Sequence, residues 1–83
     1  DQQKFDFIAK LSKEHSFNDI KQVITIDGLR VEFADGWGLI RASNTTPCLV
    51  LRFEADNSDA LQRIKLDFRR VLKQFKPDIS LPF

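Results

Sequence analysis

The sequence has no methionine, one cysteine (Cys48) and one histidine (His15). Each scarcity closes off a class of chemistry. A lone thiol cannot form an internal disulfide, which fits a reducing compartment, and a cytoplasmic location is expected. A solitary imidazole with no second His, Cys or Asp beside it carries no metal or catalytic signature, so His15 is assigned no role. Because methionine is missing even at position 1, the 83 residues are expected to be a piece of a longer polypeptide. No apolar run approaches the roughly 20 residues that a membrane helix requires, and no signal-peptide pattern opens the chain. The formal net charge is only +1, too small to select nucleic acid or an acidic membrane as a partner.

Apolar residues, by contrast, make up 42% of the chain and include eight Phe and one Trp. That is enough for one hydrophobic core, and a single domain over residues 1–83 is expected. Residues 2–14 carry Phe5, Ile8 and Ala9 at i, i+3, i+4, and Phe7 with Leu11 at i, i+4, which predicts an amphipathic helix. Four strands follow, predicted over residues 20–26, 29–34, 37–43 and 48–55. Asp27-Gly28 signals a two-residue type I′ hairpin between the first pair, and Asp35-Gly36 repeats the device before Trp37. Connections this short make an antiparallel meander.

Alternation assigns Leu29, Val31, Phe33, Ile40, Ala42, Leu49, Leu51 and Phe53 to a core face. Arg30, Glu32, Arg52 and Glu54 fall on the other face with Leu39 and Val50, and cross-strand ion pairs are expected for Arg52 and Glu54. Asn57 or Ser58 caps a second helix, along which Leu61, Ile64, Phe68, Val71 and Phe75 repeat at helical spacing until Pro77 ends it. Its other side holds Arg63, Asp67, Arg70 and Lys73 and reads as solvated surface. The tail Leu81-Pro82-Phe83 is too apolar to hang free. The predicted fold class is α+β: a four-stranded antiparallel sheet with two helices packed on one face.

Between the last two strands lies Arg41-Ala42-Ser43-Asn44-Thr45-Thr46-Pro47. A guanidinium offers a planar fork of donors, and hydroxyls, a carboxamide and free backbone N–H groups can converge on further oxygens of an anion. The same residues can equally satisfy their own backbone in a polar turn, as most Ser/Asn/Thr clusters do. Asn44-Thr45-Thr46 also fits the glycosylation pattern, which without a secretory signal is read as a chance match.

The stretch from Gly36 through Trp37-Gly38-Leu39-Ile40-Arg41 to Pro47 resembles the phosphate-binding loop of the bacterial phosphomannomutase/phosphoglucomutase enzymes, within the α-D-phosphohexomutase family. Asp27-Gly28-Leu29-Arg30-Val31 and Leu51-Arg52-Phe53-Glu54-Ala55 are similar too. The resemblance implies the last of four domains, with the same α+β arrangement, similar in shape to half of a TATA-binding protein. It implies substrate-phosphate binding by Arg41, Ser43, Asn44 and Thr45, with Ala42 contributing backbone, and hexose 1- and 6-phosphates of mannose or glucose as ligands. Many relatives have Gly-Thr-Glu-Pro where this chain has Asn44-Thr45-Thr46-Pro47, a departure that favours the mannose/glucose subgroup over the glucosamine one.

By the same resemblance, the whole enzyme is an isomerase of carbohydrate metabolism and polysaccharide biosynthesis, working through a bisphosphate intermediate. A phosphoserine and Mg2+ are implied for other domains. Nothing here matches either of those loops, so no catalytic residue, metal or cofactor is assigned to this chain, and the isolated domain is expected to be an inactive monomer. The partners expected are the sugar phosphates and the enzyme's other domains, with no nucleic acid and no membrane. The alternative class is a non-catalytic nucleic-acid or protein interaction module. A four-stranded sheet is a common RNA platform, but it needs aromatics on its open face, and here only Trp37 could serve.

Overall fold

A computed structural model describes residues 2–14, 16–26, 28–42, 49–81 and 83. The order is α1 (Gln2–Glu14), β1 (Ile20–Ile24), β2 (Leu29–Phe33), β3 (Gly36–Ala42), β4 (Leu49–Ala55) and α2 (Ser58–Phe75). The strands form one antiparallel sheet in the order β1-β2-β3-β4. Helix α1 lies over β2 and β3, and α2 over β3 and β4. The predicted α+β class is therefore the observed one, with the alternation faithfully sorted: Leu29, Val31 and Ile40 are fully buried, while Arg52 and Glu54 are exposed.

The core is built on one contact between helix and sheet. Gly38 sits opposite Val31 on β2 and Phe53 on β4. A Cβ there would lie 2.4 Å from Cε1 of Phe68, closer than packed atoms can approach. Phe68 is wholly buried, tilted against Phe17 at 4.6 Å and edge-on to Phe53 at 5.1 Å between ring centroids. Phe53 in turn meets Phe83 at 5.0 Å, so the apolar tail packs on its own domain. Asn57 caps α2, its side chain accepting from the Ala60 backbone N–H at 2.8 Å, and the C-cap Lys76 precedes Pro77.

Three expectations about the strands need correction. Strand β1 ends at Ile24, and Ile26 is 92% exposed. The cause is a bulge between Ile20 and Gln22, preceded by Asp19 at φ 55°. It switches the phase, so that Ile20 and then Val23 pack on the core. Second, neither turn is the expected two-residue Asp-Gly type. Ile24 stands opposite Arg30, leaving residues 25–28 between the strands, with Gly28 at φ +87°; Asp27 lies outside the described residues. At the next hairpin Phe33 pairs with Gly36, so Ala34-Asp35 is the tip, with neither at positive φ. Gly36 belongs to β3, where a Cβ would come within 2.4 Å of the Glu54 carbonyl oxygen.

Third, Leu39 faces Arg52 and Trp37 faces Glu54 across the sheet, so the expected cross-strand ion pairs have no acid or base opposite. On this face an ion pair runs along β2 instead, where Arg30 Nε donates to Glu32 at 3.0 Å.

The charged side of α2 fastens connections to the core rather than simply meeting solvent. Arg63 makes a two-pronged pair with Asp35, donating from NH1 at 2.8 Å. Arg70 donates to the Ser16 carbonyl at 2.7 Å and to Asp67 at 2.6 Å, while Asp67 accepts from the Asn18 backbone N–H at 3.1 Å. Arg69 donates to the Phe83 carbonyl and Lys73 to that of Ile79.

Two outcomes follow from this packing. Gly38→Ala should cost about 1–3 kcal/mol of overpacking, measured by denaturant unfolding, and the cost should fall when Phe68→Leu removes the clashing ring edge. Equal costs in both backgrounds would mean the two do not touch. The Arg63 hydrogen bond, with its charge, holds the Asp35 carboxyl below its ordinary value of 3.8. A depressed carboxyl pKa contributes stability above the unfolded value and loses it as pH falls through the folded one. Arg63→Ala should therefore raise the Asp35 midpoint in a carboxyl NMR titration, and the stability gap to the wild-type protein should narrow in acid.

Candidate functional site

The loop's starting cation is set by the interior strand β3. Arg41 is the penultimate residue of β3, exposed and opposite Val50; Ala42 is the last, opposite Leu49, and packs against the core. Their strand is hydrogen-bonded on both sides, which fixes where the Arg41 backbone points. The β1–β2 connection then wedges against it. A Cβ on Gly28 would lie 2.5 Å from both the Arg41 Cβ and the Ile40 carbonyl oxygen. Gly28 thus meets two demands at once, a left-handed φ and a backbone approach that no other residue permits. Sequence reading singled out Gly28 only for its turn.

Arg41 and Ala42 line a cleft of about 530 Å3 together with Gly28 and Thr25 from the β1–β2 connection and with Phe5, Ile8, Ala9, Ser12 and Lys13 from α1. That volume is within the range of about 300–1,000 Å3 typical of small-molecule sites. Its α1 side is apolar toward Ile8 and basic at Lys13. Of the expected site residues, Arg41 and Ala42 are adjacent at this opening; Ser43, Asn44 and Thr45 lie outside the described residues, as do His15 and Cys48.

Other surfaces offer less. A second hollow, about 320 Å3, is lined by Arg63 and Arg70, but both cations already hold Asp35 and Asp67. On the open face of the sheet the aromatic among the described residues is Trp37, and the Arg30 guanidinium stands 4.2 Å from its ring centroid. A base would have to displace that cation to stack there. Among the described residues no three His, Cys, Asp or Glu side chains gather into a metal site, and no helix is long and apolar enough to cross a membrane.

The chain is a two-layer α+β domain with an arginine near the end of β3 lining a cleft, and comparison with known proteins gives its family. Residues 7–71 match the family described as phosphoglucomutase/phosphomannomutase, C-terminal domain, and the chain belongs to that family. A solved phosphoglucomutase/phosphomannomutase family protein from Burkholderia thailandensis superposes with a TM-score of 0.92 at 55% identity, covering 96% of this chain and 18% of that one. A phosphomannomutase/phosphoglucomutase of Pseudomonas putida is 52% identical over 83 residues, all of this chain and 18% of its own length. A phosphoglucomutase of Neisseria meningitidis serogroup B is 52% identical over 75 residues, covering 90% of this chain and 16% of its own. The chain thus spans less than a fifth of the length of these relatives.

The wedge at Gly28 generates a direct expectation. Gly28→Ala should destabilise the domain and shift the Ile40 and Arg41 amide resonances most, because the added methyl meets their backbone and φ +87° disfavours any L side chain. Spectra unchanged at Ile40 and Arg41 would show that the turn does not brace them.

Proposed function

We propose that this chain is the domain of a phosphomannomutase/phosphoglucomutase that grips the substrate's phosphate. Arg41 is the bidentate charge clamp; Ser43, Asn44 and Thr45 donate hydrogen bonds, and Ala42 contributes its backbone N–H. The ligand is a hexose 1- or 6-phosphate of mannose or glucose. The whole enzyme interconverts these by way of a bisphosphate, as a cytoplasmic isomerase of carbohydrate metabolism. Holding the phosphate that is not reacting orients the sugar, which lowers the barrier by positioning rather than by chemistry. The phosphoserine and Mg2+ implied for such an enzyme belong to its other domains. The 83-residue chain alone is therefore a monomeric binding domain without turnover.

The observation that supports this reading best is Arg41 itself, fixed at the end of an interior strand, braced by Gly28 and opening on a cleft. Such a clamp recognises a phosphate without reading the ring that bears it, which suits a sugar presented from either end. One charge-assisted contact contributes roughly 1.5–3 kcal/mol, and neutral donors at a surface loop add about 1 kcal/mol or less each. After ordering costs, binding by the domain alone should be near the roughly −4 kcal/mol of a millimolar complex, or weaker.

Glucose 1-phosphate and glucose 6-phosphate should accordingly perturb the same backbone amides, 42–46, in an NMR titration. Both responses should fade with salt, and Arg41→Ala should weaken them more than Arg41→Lys, which keeps the charge and loses the fork. Shifts centred on Arg63 and Arg70, with the 42–46 amides silent, would place the ligand elsewhere.

A further inference from the structure

Arg41 is not the only cation facing its cleft. Lys13, in the last turn of α1, lines the same opening of about 530 Å3 and is exposed. No Asp or Glu is among the described residues that line it, and the charged side chains among them are the two cations. Ser12 beside Lys13 is committed: its hydroxyl donates to the Ile8 carbonyl at 2.8 Å, so its proton is not available to a ligand. Four of the five cations along α2 are engaged otherwise, Arg63 with Asp35, Arg70 with Asp67, Arg69 with Phe83 and Lys73 with Ile79, and the fifth, Lys65, lies beside another hollow. Lys13 has no such partner among the described residues, and it meets the cleft beside the apolar side chains of Phe5, Ile8 and Ala9.

We propose that Lys13 is a second anion-holding residue of the Arg41 cleft, and that the two cations together take the phosphomonoester group of a hexose phosphate. The inference rests on the reading of Arg41 given above and adds a residue outside the loop motif. A phosphomonoester carries a charge of about −1.5 to −2 near neutral pH, more than one guanidinium balances. The two side chains divide the work by their chemistry. Arg41 supplies a rigid fork that sets the phosphate's orientation; Lys13 supplies a compact charge on a flexible stem that follows the phosphate when the sugar is presented from its other end. Phe5, Ile8 and Ala9 of α1 line the same cleft, and apolar walls lower the local dielectric and strengthen such contacts.

The test is a titration of the 83-residue chain with glucose 6-phosphate, with inorganic phosphate and unphosphorylated glucose as companions. Lys13→Gln should raise Kd about two- to fivefold at low salt, the range of a solvent-accessible ion pair, and Lys13→Arg should restore it. Lys65→Gln removes the same charge beside another hollow, on α2, and should leave Kd unchanged. The Lys13 side-chain resonances should shift with glucose 6-phosphate and with inorganic phosphate but not with glucose. A lysine that merely favours the C-terminal end of α1 through the helix dipole would change the melting temperature and not Kd. Wild-type affinity in Lys13→Gln, or an equal loss in Lys65→Gln, overturns the proposal while leaving Arg41 in place. Wild-type affinity in Arg41→Ala overturns the reading of the cleft itself, and this inference with it.

Discussion

The fold depends on a missing side chain. At Gly38 the sheet has a gap the size of a methyl group, and the ring of Phe68 occupies it. Because Gly38 lies on β3, flanked by β2 and β4, this contact sets the height of α2 above the middle of the sheet. Everything around it is arranged to keep the ring there. Phe17 closes one side and Phe53 the other, while Ile64, Val71 and Leu72, all fully buried, continue the seam along the helix. A larger residue at position 38 would lift α2 and loosen the aromatic column that ends at Phe83.

The site inherits its geometry from that same strand. Three residues after Gly38, β3 delivers Arg41 to the edge of the core. The chain therefore solves two problems with one short stretch: Trp37-Gly38-Leu39-Ile40 anchors the helix, and Arg41-Ala42 carries the anchorage to the cleft. Gly28 transmits a second constraint from the side, so the guanidinium's root is held by backbone on more than one flank. Positioning of this kind costs nothing at the moment a ligand binds, which suits the clamp proposed for Arg41.

Much of this was legible in the residues. Helical spacing from Leu61 to Phe75 and alternation from Leu29 to Phe33 reflect burial directly, and burial is the strongest signal a sequence carries. Legibility stopped where backbone geometry departs from the regular period. The bulge between Ile20 and Gln22 leaves no mark in composition, so the first strand was expected to run on to Ile26, which is solvent-exposed and outside it. Asp35-Gly36 has the look of a primed turn, yet Gly36 answers to the close approach of β4, a neighbour distant in sequence. The same limit applied to the site. Arg41 was singled out by its local motif, but Lys13, 28 positions earlier in the chain, lines the same cleft only through the docking of α1, which no local pattern reports.

The two walls of the cleft differ in how long they last. The β3 wall sits within a paired ladder beneath α2, which buries five side chains, Ala60, Ile64, Phe68, Val71 and Leu72. The α1 wall is held by Ile8 and Leu11, the residues of that helix that are buried among those described. Openings of a protein occur in cooperative units whose free energies range from near zero to the global value. Helix α1 therefore belongs to an earlier-opening unit than β3. The cleft can part along its α1 side and re-form while Arg41 stays in register, an opening that does not require the sheet to break.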